Sequence, residues 1–143
     1  VRSPNAPCPC GSGRKFKRCC RRLHQGTPAA DPEALMRSRY SAYAVGAVEY
    51  LLDTTDPEGP QHRDDRAAWA EEIRRFSTLT RFQKLEVREV GPIVDDRAEV
   101  LFFAKLSREG QDVSFAERSV FVRRDGRWFY VSGEHVAPDH AGP

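Results

Sequence analysis

Residues 115–134 read Phe115-Ala116-Glu117-Arg118-Ser119-Val120-Phe121-Val122-Arg123-Arg124-Asp125-Gly126-Arg127-Trp128-Phe129-Tyr130-Val131-Ser132-Gly133-Glu134. Two runs rich in aromatic and β-branched residues flank one Asp-Gly pair. Such runs favour strands, and Asp-Gly suits a two-residue hairpin turn whose central positions both need positive φ. The stretch predicts antiparallel strands over 115–124 and 127–134. Upstream, Ala98, Val100, Phe102, Ala104 and Leu106 recur with period two, and Leu85 and Val87 open an earlier strand after Phe82. Leu101 and Phe103 point the other way, so the strand they share with Val100 is expected to be covered in part on both faces.

Ahead of these strands the apolar spacing is helical. Asp31-Pro32 can start a helix, because Asp caps free amides and Pro fits the first turn. Met36, Tyr40, Tyr43 and Ala47 then form one stripe, with Gly46 as its break. Val48, Leu51 and Leu52 predict a second short helix ahead of the turn cluster Asp56-Pro57-Glu58-Gly59-Pro60. A third spans about 65–76, with Trp69, Ile73 and Phe76 on one face. Helices followed by an antiparallel meander imply an α+β fold, the helices packed on one sheet face.

The N-terminal segment is of another kind. All four cysteines of the 143-residue chain fall between Cys8 and Cys20, in Cys8-Pro9-Cys10-Gly11-Ser12-Gly13-Arg14-Lys15-Phe16-Lys17-Arg18-Cys19-Cys20. Four thiolates satisfy a tetrahedral zinc ion. Gly11-Ser12-Gly13 supplies a sharp turn, a helical turn from about Lys15 presents Cys19 and Cys20, and Phe16 is the hydrophobic pin. Binding energy of roughly 10 kcal/mol or more would fold a segment too short to fold alone. Disulfides are the competing reading, opposed by the strain of near-adjacent pairs. A redox dithiol would ordinarily show Cys-x-x-Cys, which is absent. His24 is an alternative to Cys20 as fourth ligand, with Cys20 ranked first.

Charge divides the chain in the same place. Residues 1–30 hold seven of the 23 basic side chains and no acid, leaving 16 basic against all 21 acidic residues in the rest. Arg14, Lys15, Lys17, Arg18, Arg21 and Arg22 ring the cysteines, either to attract an acidic partner or to keep the knuckle in solution. The organisation read from this is a knuckle over 1–24, a linker over 25–30, an α+β domain over 31–136 and a frayed tail over 137–143. No apolar run approaches the ~20 residues of a spanning helix. The first residues lack the apolar core of a secretory signal, so a cytoplasmic location without membrane contact is expected.

Residues 6–21 resemble the SEC-C motif, the small zinc-binding tail of the SecA protein-export ATPase, with Cys20 where such copies have His or Cys. The stretch from Leu35-Met36-Arg37-Ser38-Arg39-Tyr40-Ser41-Ala42-Tyr43, together with 117–119 and 125–133, resembles the YchJ family of uncharacterised bacterial proteins. That resemblance implies a domain similar to nuclear transport factor 2, a cone of helices around a curved sheet. It also implies one structural zinc ion held by Cys8, Cys10, Cys19 and Cys20. In SecA-like proteins the motif contacts the export chaperone SecB, which makes a SecB-like partner or the translation and export machinery the expected target. RNA is the weaker candidate, since Phe16 is the knuckle's one aromatic residue. The alternative is a small-molecule binder or enzyme using the cone's interior, with Tyr40, Tyr43, His62, Trp69, Arg118 and Glu134 as candidate lining. For each of these a plainer role stands beside it: core packing for Tyr40, Tyr43 and Trp69, solvation for His62, cross-strand pairing for Arg118 and Glu134. The expected state is a monomer or a homodimer formed through the sheet.

Overall fold

A computed structural model describes residues 3–137. The expected tail lies outside the described residues but for Ala137. After a 3₁₀ turn at Phe16–Arg18 come α1 (Cys20–His24), α2 (Pro32–Val45), α3 (Val48–Asp53) and α4 (Arg66–Leu79). The strands are β1 (Arg81–Val90), β2 (Arg97–Arg108), β3 (Gln111–Asp112), β4 (Phe115–Arg124) and β5 (Arg127–Val136). They pair antiparallel in the order β1-β2-β4-β5, with β3 folded onto the end of β2. The α+β arrangement expected from the sequence is the one observed.

Local chemistry sets the boundaries. The Asp31 carboxylate accepts from the Ala34 amide at 2.8 Å, and Pro32 occupies the first turn of α2. Gly46, at φ 79°, closes that helix in the left-handed conformation. Asp65 caps α4, which runs three residues past Phe76 to Leu79 before Thr80 turns extended. Asp125 and Gly126 both have positive φ, 51° and 78°, as the tight hairpin requires. The sequence reading missed β3, a two-residue strand created by a second such turn at Glu109-Gly110. Too short to show any period, it carried no pattern to read.

Bulges at Phe82/Lys84 and Val87/Glu89 in β1, and at Val131 of β5 opposite Val120/Phe121, bend the strands of the sheet. Leu85, Val100, Phe102, Ala104, Leu106 and Phe121 form one core with Leu35, Met36 and Tyr40 of α2. A second cluster joins Ala42 to Val48, Leu51, Leu52, Trp69 and Ile73. On the opposite sheet face Leu101 is fully buried, and the Arg88 guanidinium lies 4.8 Å from the Phe103 ring centre. Both faces of β2 are therefore covered, one by helices and the other in part by long charged side chains.

One buried charge ties the α3–α4 connection to the sheet. Asp56 is 2% exposed, and its carboxylate accepts from Arg124 Nε at 3.1 Å and Nη2 at 3.2 Å. Burial pushes its pKa up, but the hydrogen bonds from Arg124 and the Glu58 amide outweigh this and hold it below the usual value. Replacing Arg124 with Ala leaves that carboxylate with the Glu58 amide, and a measurable loss of stability is expected in urea unfolding at neutral pH. A loss within experimental error would show that solvent satisfies Asp56 unaided.

Candidate metal centre

The knuckle is a tight antiparallel loop. Pro7 bridges Lys15, the Cys8 amide donates to the Arg14 carbonyl at 2.9 Å, and the Phe16 amide donates to the Ala6 carbonyl at 2.8 Å. Gly11 (φ 81°) and Gly13 (φ 86°) make the reversal that a side chain would strain. The 3₁₀ turn and α1 then bring Cys19 and Cys20 against Cys8 and Cys10. All four cysteines are free and buried, and their sulfurs lie within 4.8 Å of one another. Cys10 and Cys19 are 3.6 Å apart, and Cys19 and Cys20 are 4.0 Å apart. A tetrahedral tetrathiolate site with bonds of about 2.3 Å has edges of about 3.8 Å, which sulfurs within 4.8 Å of one another reach by small shifts. These separations are far too long for disulfides.

The surroundings are arranged for thiolates. Ser12 Oγ is 3.1 Å from the Cys19 sulfur, Arg14 Nη2 donates to it at 3.9 Å, and Ser41 Oγ is 3.5 Å from the Cys8 sulfur. Hydrogen bonds from the Cys10 and then the Cys20 thiol draw the Cys8 pKa strongly down. Hydrogen bonding to Cys10 and Cys8, reinforced by burial, drives Cys20 strongly up. A cation would replace the thiol protons on binding, and acid would favour the protons.

His24 has another task. Its Nε2 lies 2.8 Å from the Ser38 carbonyl, and its ring packs against Phe16 and Tyr50. Burial lowers its pKa. Arg37 Nη1 donates to the Cys10 carbonyl at 2.8 Å. Through Arg37, Ser38 and Ser41, α2 is the platform on which the knuckle sits. Phe16 and the four cysteines belong to the same core as Leu35, Met36, Tyr40 and Leu85. The sequence placed Ser12 only in the glycine turn, not on a sulfur, and nothing local pointed to Ser41, 33 positions from Cys8.

Of the basic residues, Arg14, Lys15, Lys17, Arg18 and Arg22 are exposed and Arg21 is half-buried. Tyr40, Tyr43 and Trp69 line a cavity of about 220 Å³ between the helices and the inner sheet face. Arg118 and Glu134 do not. They pair across β4 and β5 on the opposite face, where Arg118 reaches Glu89 and Glu99 at 3.8 Å. The correction follows from strand parity, since Glu117 and Ser119 face the cavity and the residue between them cannot. His62 packs edge-on against Trp69 near Asp64, exposed and outside the cavity lining.

Fold and site together define a nuclear-transport-factor-2-like domain carrying a cysteine knuckle on its first long helix. Residues 31–133 match the model for the YchJ middle NTF2-like domain, and residues 5–22 match the SEC-C motif. The chain belongs to the YchJ family. It is 37% identical over 142 residues to UPF0225 protein SG1365 of Sodalis glossinidius, covering 96% of this chain and 89% of that one. The solution structure of RPA3114, a SEC-C motif containing protein from Rhodopseudomonas palustris, superposes with a TM-score of 0.77 at 37% identity, over 92% of this chain and all of that one. A crystal structure of a SEC-C motif containing protein from Psychrobacter arcticus gives 0.75 at 23% identity, over 94% and 85% of the two chains.

Two outcomes test the centre. Ser41→Ala should weaken metal binding about tenfold in competition with a chromophoric chelator, as loss of an outer-shell partner does. Equal affinity would make Ser41 a packing residue only. Stripping the metal should shift amide NMR signals at Met36 and Tyr40 as well as in the knuckle, because they share a core. Changes confined to residues 3–24 would contradict that shared core.

Proposed function

We propose that this protein is a zinc-binding adaptor, in which the metal fixes the knuckle on α2 and the knuckle presents positive charge to an acidic face of a protein partner. Zinc suits an all-sulfur set at tetrahedral spacing, and four protein ligands leave no position for water or substrate, so the ion's role is structural. Free thiols and a thiolate-bound metal call for a reducing compartment, which supports a cytoplasmic location. No helix among the described residues is long and apolar enough to cross a membrane.

The observation that carries the adaptor reading is unspent charge. None of Arg14, Lys15, Lys17, Arg18, Arg21 and Arg22 has a carboxylate within 4.0 Å among the described residues, whereas Arg37, Arg63, Arg66, Arg74 and Arg123 all do. Phe16 is buried in the shared core, which leaves the knuckle no exposed aromatic ring for base stacking and favours a protein over RNA. A SecB-like chaperone or another component of the export or translation machinery has the role that the SEC-C resemblance implies.

Native mass spectrometry should find one zinc ion per chain, and a mass without metal would remove the reading. In pull-downs from cells, acidic proteins recovered at low salt should fall away as salt rises, and with the double variant Lys17→Glu, Arg18→Glu. Recovery of RNA in place of protein, or of the same proteins with that variant, would overturn it.

A further inference from the structure

The cavity beneath α2 holds two charges that the knuckle does not use. Arg39 is 8% exposed, and its guanidinium carbon lies 4.5 Å from the centre of the Tyr130 ring. Its Nη1 donates to the Leu51 carbonyl at 3.0 Å and to Thr54 and Thr55 Oγ1 at 2.7 and 3.3 Å, which fastens the end of α3. No carboxylate lies within 4.0 Å of it, and its Nε and Nη2 have no protein acceptor among the described residues. Thr80 Oγ1 is the one fully enclosed side-chain polar atom without a partner among those residues, so these Arg39 donors reach open space. The open space that Arg39 lines is the cavity.

One tyrosine further along stands Glu117. Its carboxylate accepts from Ser119 Oγ at 2.5 Å and from the Tyr130 hydroxyl at 3.3 Å, and it lines the same cavity. Gly133 makes room for it, because a Cβ there would run into the carboxylate. Tyr130 touches both charges, and the cavity's other aromatic walls include Trp69, Phe76, Phe82 and Phe102. A cavity of about 150 Å³ is enough for benzene, so this one, about 220 Å³, has space for one ring with short polar arms.

We propose that this cavity is a binding site for a one-ring carboxylic acid, its carboxylate on Arg39 Nε and Nη2, its ring among the aromatic walls, and a hydroxyl or amine donating to Glu117. A planar guanidinium with two free donor nitrogens is the side chain best matched to a carboxylate. An analogue without the carboxylate leaves the free Arg39 donors unpaired, and one without the hydroxyl or amine forgoes a charge-assisted bond to Glu117.

The test is calorimetric and NMR titration of the zinc-loaded full chain with 4-hydroxybenzoate, 4-hydroxybenzamide and benzoate. The hydroxy acid should bind at least about tenfold tighter than its neutral amide, with shifts centred on Trp69 and Tyr130. Arg39→Gln should erase the preference for acid over amide, and Glu117→Gln the preference for 4-hydroxybenzoate over benzoate. Because Arg39 also holds the end of α3, Ala104→Leu is a second route: it narrows a wall that makes no polar contact and should abolish binding of all three. The wild-type comparison needs no variant. Equal affinity for acid and amide, shifts elsewhere on the surface, or no binding of the acid up to about 10 mM would overturn the proposal.

Discussion

Four buried sulfurs within 4.8 Å of one another are the constraint on which the N-terminal fifth of this protein depends. The segment's buried apolar contribution is Phe16 and the cysteines themselves. That is too little to offset the conformational entropy of ordering twenty or so residues, at about 1–2 kcal/mol each for the backbone. Protonated, the thiols share a few weak hydrogen bonds; deprotonated without a cation, they repel. A metal ion resolves both problems, and once the sulfurs converge, Cys8, Cys10, Phe16 and Cys20 become one hydrophobic surface that α2 can cover.

That makes α2 a wall shared by two compartments. Arg37, Ser38 and Ser41 turn toward the knuckle, while Met36, Arg39, Tyr40 and Tyr43 line the cavity. The two sets interleave along a single helix of fourteen residues, so any shift of α2 against the knuckle also moves one side of the cavity. Burial between them pushes the Tyr40 hydroxyl up to about 12. The centre is structural in its coordination, yet what it positions includes the lining of the cavity between helices and sheet.

How much of this could be read from sequence depends on how local each signal is. The hairpin at Asp125-Gly126, the alternation in β2 and the capped start of α2 are set by neighbours within a few positions, and all three were legible. The cysteine spacing was legible for the same reason, because thirteen consecutive residues carry the donors, the glycine turn and the pin. His24 was legible as a candidate ligand but not as what it is, a residue that docks α1 on the Ser38 carbonyl, because that contact crosses the linker.

The cavity failed at a different point. Tyr40, Tyr43 and Trp69 lie on amphipathic helices whose apolar faces must look at the sheet, so helical period alone places them at the cavity. For β4 the period of two fixes which residues share a face, and the covered face of β2 fixes which set looks inward. Phe102 pairs with Glu117 across the strands, so Glu117 must follow Phe102 to the inner face, and Arg118 must follow Leu101 to the outer one. The register that makes this deduction possible is a long-range fact, absent from the sequence. Choosing Arg118 and Glu134 was therefore a choice of the right strands with the wrong parity. Charge gave no help, because Glu117, held by Ser119 and Tyr130, and Arg118 on the other face are both half-buried charged residues in a strand. What tells them apart is Gly133 on the neighbouring strand, whose missing side chain leaves the carboxylate its space.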